Sequence, residues 1–206
     1  MGWFSKAKKR RIAMEEEARA LKMSFTPKDE YGLKALFRDF RVAKQGHSHR
    51  ARNILQRTEE KELGQTDDFR LLDYHYIIQA GSTAVPVMQT LFFVQSKQLE
   101  LPAFSIQPRS FMHKVGQFLG FRKNQIPFPD FPAFEKRYVV KGQEETLVQR
   151  AIQPALIEFL LNEKPWYVEG IGYYLIFYNK KIEREKLRSF HKKGVEVFRL
   201  LKTNKG

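Results

Sequence analysis

Cysteine is absent from this 206-residue sequence, and its absence excludes several kinds of chemistry together. Without thiols there are no disulfides, thiolate metal ligands, iron–sulfur clusters or cysteine nucleophiles. No apolar run approaches the roughly 18 residues that a membrane-spanning helix needs. The first residues place Trp3 and Phe4 before a basic cluster with no apolar stretch after it, an order unlike that of a secretory signal. We therefore expect a protein of the cytoplasm that does not span a membrane.

Catalytic and cofactor motifs are also missing. The sequence has no phosphate loop, no Gly-x-Gly-x-x-Gly string and no Gly-x-Ser-x-Gly string. His47 and His49 flank a serine and could face one side of a strand, but a metal site needs three or four convergent ligands. They also lie in a basic stretch, which repels cations. We predict no catalytic residue, no metal, no cofactor and no small-molecule substrate, and so no enzyme.

Positive charge and aromatic residues are what the sequence has in abundance. Its 37 Lys and Arg residues against 23 Asp and Glu give a formal net charge of +14. A surplus of this size raises the local concentration of polyanions, so nucleic acid, anionic lipid and acidic protein surfaces are the candidate partners. The hydrophobic fraction of 42%, with 18 Phe, predicts a chain that folds rather than one that stays disordered.

The pattern of apolar residues predicts an α+β domain. Two long aromatic-rich segments, residues 69–79 and 87–95, are separated by a Gly- and Pro-containing loop and should be adjacent antiparallel strands. Further strands are predicted at 103–107, at 134–142 and, as a pair around Gly170 and Gly172, within 166–179. Between them, the three prolines of 127–132 favour an extended connector.

Helical periodicity completes the architecture. Helices are predicted at residues 8–23, 110–121, 144–162 and 183–202, with a break near Gln153 because Pro154 cannot continue a helix. Residues 32–44 fit either a short helix running into a strand or a strand throughout. We predict a basic N-terminal helix in residues 1–24 and, in 25–206, a single antiparallel or mixed sheet with helices packed on one side.

Several strings resemble, in order, an uncharacterised bacterial family of α+β proteins that are often membrane-associated. They contain Leu-Asp-Tyr at 72–74, Gln-Thr at 89–90, Leu-Pro-Ala-Phe at 101–104, Arg-Tyr at 137–138 and Val-Glu-Gly at 168–170. The chain departs from the family pattern where Leu72 replaces a Phe and where Arg109 replaces an acidic residue. The resemblance implies a shared fold and no catalytic residue.

The first residues are the strongest candidate for a binding site. Interfacial aromatics followed by positive charges are typical of segments that bind an anionic membrane surface or an acidic protein complex. Such binding would be peripheral, at the inner face of a membrane. The candidate residues are Trp3, Phe4, Lys6, Lys8, Lys9, Arg10 and Arg11.

Nucleic acid is the alternative partner. A basic strip with nearby Phe37 and Phe40 would suit sequence-tolerant binding of phosphates and bases, although no known nucleic-acid-binding motif accompanies it. The residues of this basic strip are Arg38, Arg41, Lys44, Arg50, Arg52 and Arg57.

Two carboxylates lie within predicted strands. Asp73 falls among apolar and aromatic residues and should share a face with Phe69 and His75. A buried carboxylate needs hydrogen-bond partners, and His75 or Tyr138 are the candidates that the sequence offers. Glu169 is interpreted in the same way, as a structural residue beside a turn.

Overall fold

The computed structural model describes residues 3–61, 64–112 and 124–202 of the chain. Within these ranges nine strands form one sheet, and every neighbouring pair is antiparallel. The strands are β1 (Ser24–Lys28), β2 (His47–Glu60), β3 (Thr66–Ala80), β4 (Thr83–Ser96), β5 (Leu101–Pro108), β6 (Gln125–Ile126), β7 (Tyr138–Gly142), β8 (Tyr167–Gly172) and β9 (Tyr174–Lys180). Their order across the sheet is β1-β2-β3-β4-β9-β8-β5-β7-β6. The predicted α+β class with a single sheet is confirmed.

Helices lie before, between and after the strands. In the described ranges they are α1 (Trp3–Ala20), α2 (Leu33–Leu36), α3 (Arg109–Met112), α4 (Pro132–Arg137), α5 (Glu145–Ala151), α6 (Pro154–Asn162) and α7 (Leu187–Leu201). Short 3-10 turns occupy Phe37–Asp39, Arg41–Lys44 and Arg184–Lys186. Most of the helix predicted at residues 110–121 lies outside the described residues.

The sheet has two buried faces, because side chains alternate along each strand. One face, here called the helical face, carries Phe69, Leu71 and Phe92 and packs against α1 and α4–α7. The other, the tyrosine face, carries Tyr74, Tyr76 and Tyr178 and is covered by the segment 33–44. The expectation that the sheet is covered on one side was therefore wrong. Phe37, Phe40 and Val42 fill the second face.

The central prediction for the sheet is confirmed. β3 and β4 form one antiparallel hairpin, and their register runs from Asp67 opposite Ser96 to Ala80 opposite Thr83. The predicted helix break is also present, because α5 ends at Ala151 and α6 begins at Pro154, which is tolerated in the first turn.

Two regions differ from their sequence predictions. The Pro-rich connector was expected to be extended, but Pro132 starts α4, which carries the chain to Arg137 before β7 begins. Residues 32–44, whose conformation was left open, form α2 and two 3-10 turns, and no strand begins between them and His47.

Candidate binding surface at the start of the N-terminal helix

Arg10 and Asp73 form a buried ion pair that joins α1 to the helical face of β3. The Arg10 Nε donates to Asp73 Oδ2 at 2.9 Å and its Nη2 donates to Oδ1 at 2.7 Å, a bidentate geometry. The Asp73 side chain is 0% exposed and that of Arg10 is 8% exposed. The remaining guanidinium nitrogen, Nη1, donates to the backbone carbonyl of Ile182 at 2.6 Å.

Two neighbouring strands supply the other partners of Asp73. Asn53 lies at a bulge in β2 with a φ of 50°, and its Nδ2 donates to Asp73 Oδ2 at 2.9 Å. Asn is among the few residue types that adopt this left-handed conformation readily. Thr90, directly opposite Asp73 on β4, donates to Oδ1 at 3.3 Å and accepts from Arg10 Nη2 at 3.0 Å. Both oxygens of the buried carboxylate are thus satisfied.

The partners expected for Asp73 were wrong, whereas its structural role is supported by the geometry. No hydrogen bond joins Asp73 to His75 or Tyr138 among the described side chains, and the Tyr138 hydroxyl donates instead to the carbonyl of Leu160 at 3.2 Å. Burial lowers the pKa of His75, and the charges of Arg52, Arg10 and Arg50 lower it further, while Asp73 raises it. The cluster fixes α1 in place and keeps the Asp73 carboxylate out of contact with solvent.

The other basic residues at the start of α1 differ from Arg10 in their exposure to solvent. Lys6, Lys8, Lys9 and Arg11 are exposed, while Arg10 is buried among them. Arg10 is therefore not one of the surface charges that the sequence suggested. The side chains of Trp3 and Phe4 lie outside the described part of the structure, although both residues belong to the first turn of α1.

Strand β2 brings two further arginines to the same face. Arg50 is paired with His75 and Arg52 with Asp73, so both side chains project on the helical side, next to the residues that hold α1. Both are exposed. The exposed residues Lys6, Lys8, Lys9, Arg11, Arg50 and Arg52 are together called the basic surface below.

The predicted nucleic-acid strip does not form one surface. Arg41 lies on the tyrosine face, where its guanidinium carbon is 5.9 Å from the centre of the Tyr167 ring. Arg38 and Lys44 are exposed in the same covering segment. Arg57 lies on the helical side, 5.9 Å from the Phe69 ring, and pairs with Glu59 at 2.8 Å. The six residues are thus divided between the two faces of the sheet.

Glu169 has a role on the tyrosine face like that of Asp73 on the helical face. Its Oε2 accepts a hydrogen bond from the backbone nitrogen of Arg41, and its Oε1 accepts one from the Tyr178 hydroxyl, both at 2.6 Å. Burial raises the pKa of Glu169, an effect opposed by these hydrogen bonds and by the charge of Arg41. Glu169 therefore fastens the covering segment 33–44 to the sheet.

The histidines singled out in the sequence do not converge on a metal site. His47 Nδ1 is 2.9 Å from the Ser48 hydroxyl, and the ring of His49 stacks on Tyr74 and Tyr76 with 5.6 Å between centres. Across residues 3–61, 64–112 and 124–202, no group of three or more His, Asp or Glu side chains is placed to hold a metal ion. None of the helices in those ranges is both long and apolar enough to cross a bilayer.

Comparison with known proteins yields a likeness of fold. No family model matches the chain, and no curated protein matches it either. Among solved structures, the chain is similar to the mycobacterial trehalose monomycolate transport factor A, TtfA, with a TM-score of 0.57. The superposition covers 92% of this chain and 90% of TtfA at 9% sequence identity. Identity this low shows a shared fold and nothing finer.

Proposed function

We propose that this protein is a non-catalytic interaction module that binds an anionic membrane surface through the basic surface at the start of α1. The observation that carries the proposal is that Lys6, Lys8, Lys9 and Arg11 are exposed on a helix whose other basic residue in this stretch, Arg10, is clamped to the sheet. The positive charges are therefore presented on a fixed element. A fixed array loses less conformational entropy on binding than a flexible tail does.

The charges are sufficient for reversible binding. Each Lys or Arg near an anionic leaflet contributes about 1 kcal/mol, provided that it lies within a Debye length of about 10 Å. Four such residues on two turns of one helix would strengthen binding by about a thousandfold over a neutral surface. The transport role by which TtfA is named does not carry this proposal, because 9% identity conveys the fold alone.

Vesicle co-sedimentation tests the proposal. A variant with Lys6→Gln, Lys8→Gln, Lys9→Gln and Arg11→Gln should lose at least about a hundredfold in affinity for vesicles containing phosphatidylserine, and the wild-type protein should not bind pure phosphatidylcholine vesicles. The matched control removes four exposed charges elsewhere, namely Lys97, Lys136, Lys164 and Lys192. Equal losses in the two variants would show that net charge, and not this surface, drives binding.

Other anionic partners are distinguishable in the same series. Binding to a labelled single-stranded oligonucleotide that falls steeply with salt, without binding to vesicles, would replace the proposal with the nucleic-acid alternative. An acidic protein complex would appear as nuclease-resistant recovery from lysate that depends on the α1 charges, again without vesicle binding. Either result would overturn the membrane proposal.

A further inference from the structure

The β3–β4 hairpin extends beyond the strands on either side of it. On one side, the pairing of β2 with β3 ends with His47 opposite Ile77. On the other, the pairing of β9 with β4 ends with Lys180 opposite Gln89. The hairpin's own ladder continues to Ala80 opposite Thr83. Residues 78–85 therefore form a two-stranded projection from the end of the sheet, and residues 86–88 have β3 but not β9 beside them.

The projection carries no charged residue, and its exposed apolar residues lie on β4 behind a polar turn. From residue 76 to residue 96 there is no Asp, Glu, Lys or Arg, in a chain of which 29% is charged. Val85 is 40% exposed, and its neighbours Ala84 and Pro86 are also exposed. Grouped on one projecting, uncharged element, these exposed apolar residues make the hairpin a candidate interaction site.

One basic residue lies on each side of the base of the hairpin. Arg50 on β2 is opposite His75, and Lys180 on β9 is opposite Gln89, so one exposed cation flanks each side of the projection. We call these two residues the basic collar. In β3 and β4 no acidic residue lies beyond Asp73, and that carboxylate is neutralised by Arg10.

The start of α1 points toward the same end of the molecule. Near the start of α1, Arg10 lies beside Asp73 of β3. The end of α1 is followed by Ser24, which lies at the level of Arg70 of β3, because Ser24 pairs with Gln56 and Gln56 pairs with Arg70. From its end to its start, α1 therefore runs along β3 from the level of Arg70 to the level of Asp73, in the direction of the hairpin. At 1.5 Å per residue, Lys6 lies about 6 Å beyond Arg10 in this direction.

We propose that the tip of the β3–β4 hairpin enters the interface of an anionic bilayer while the basic collar and the start of α1 contact the headgroups. This inference rests on the proposed function and adds the orientation of the protein on the membrane. The ladder from His75 to Ala80 spans about 17 Å, and interfacial insertion reaches about 5–10 Å. Entry to the level of Val85, about 10 Å along β4 from Ser82, is enough, so the unpaired backbone groups nearer the sheet stay hydrated.

The hairpin is poorly suited to pairing with a strand of another protein. Pro86 has no backbone N–H, and it lies in the part of β4 beyond the last residue paired with β9. Proline at such a position blocks the ladder that strand addition requires. The exposed residues Ala84, Val85 and Pro86, rather than the free edge, are therefore the part available for binding, and the flanking cations match an anionic lipid surface.

The absence of native cysteine allows a direct test. Val85→Cys labelled with an environment-sensitive nitrobenzoxadiazole dye should show a blue-shifted emission on vesicles containing phosphatidylserine, and quenching by lipids that carry a spin label in the acyl chain. The matched control is labelled Thr146→Cys, an exposed site on α5, which packs on β5 and β6 away from the hairpin. Its emission should not change.

The outcomes separate this inference from the proposed function. Co-sedimentation of the protein without a change at Val85, or with equal changes at both labels, would overturn the insertion of the hairpin and leave membrane binding intact. Absence of co-sedimentation would overturn both. As an independent check, Val85→Asp should weaken vesicle binding by about tenfold, because it adds a negative charge at the point of insertion.

Discussion

At the scale of single residues, the Arg10–Asp73 pair is the contact whose loss should cost most. Arg10→Met would leave the Asp73 carboxylate buried with only Asn53 and Thr90 as hydrogen-bond donors. Removing one partner of a buried ion pair destabilises a protein by about 3–5 kcal/mol. We expect a loss of this size in the free energy of unfolding, measured by urea denaturation.

The neighbouring residue provides the control for this prediction. Arg11 carries the same charge one position along the same helix but is exposed, so Arg11→Met should change the free energy of unfolding by less than about 0.5 kcal/mol. If the two variants were equally stable, the ion pair would not hold α1 to the sheet. Asp73→Asn in the Arg10→Met background should recover part of the loss, because it removes the uncompensated charge.

The sequence indicated only one half of this pair. Asp73 was recognisable as a buried carboxylate, because it interrupts a strand of apolar and aromatic residues. Arg10 was not recognisable as its partner, since it lies 63 residues away and is surrounded by other basic residues. Helical spacing gives one indication that Arg10 is buried, because it shares a face with Met14 and Ala18, which lie in the core.

At the scale of elements, the covering segment 33–44 depends on the ionisation of Glu169. Burial raises the pKa of this carboxyl above its ordinary value of 4.5. A raised pKa in the folded state means that the folded protein holds the proton more tightly than the unfolded chain. The contribution of Glu169 to stability is therefore fully present below pH 4.5 and is lost as the pH rises through the folded-state pKa.

The direction of this pKa shift predicts how the stability of the protein depends on pH. Glu169→Gln cannot ionise, and its amide can accept from the backbone of Arg41 and donate to the Tyr178 hydroxyl. Urea denaturation should show the variant gaining stability relative to the wild type as the pH rises from about 4 to about 8. Glu158→Gln, at an exposed position of α6, should show no such trend. A flat difference for Glu169→Gln would mean that its pKa is not raised.

Elements were predictable where local pattern and packing agree. β3 and β4 have long apolar runs, and Pro154 interrupts a helical pattern at a point where proline favours the first turn of a new helix. β2 was not predicted because its residues are mostly polar and because bulges at Ser48 and Asn53, with φ values of 58° and 50°, interrupt its alternation. α4 was missed because prolines suggested an extended chain, although one of them occupies the first turn of the helix.

At the scale of the whole molecule, composition and alternation were enough to predict the class of fold but not the order of its strands. The apolar pattern of β9 does not specify that this strand lies between β4 and β8. The sequence did not predict that the tyrosine face is covered either. This covering depends on segment 33–44, whose Leu33, Phe37 and Phe40 have helical spacing, although the segment forms only one short helix followed by two 3-10 turns.

The position of β9 has a consequence for how the chain is made on the ribosome. β4 pairs with β9 through residues such as Val94 and Leu175, which are separated by about 80 positions in the chain. At ~5–20 residues per second, β4 is synthesised about 4–16 s before the strand that covers its edge. During that interval Leu91, Phe92, Phe93 and Val94 form an apolar, unpaired edge, which is prone to aggregate.

We therefore expect the nascent chain to depend on a chaperone until residue 180 has emerged. A fragment of residues 1–165 should aggregate on expression, and it should remain soluble only while bound to such a chaperone. Supplying β8, β9 and α7 as a separate polypeptide during refolding should restore a monodisperse species, detected by size-exclusion chromatography. A soluble, monomeric fragment 1–165 would show that the edge of β4 is protected by other means.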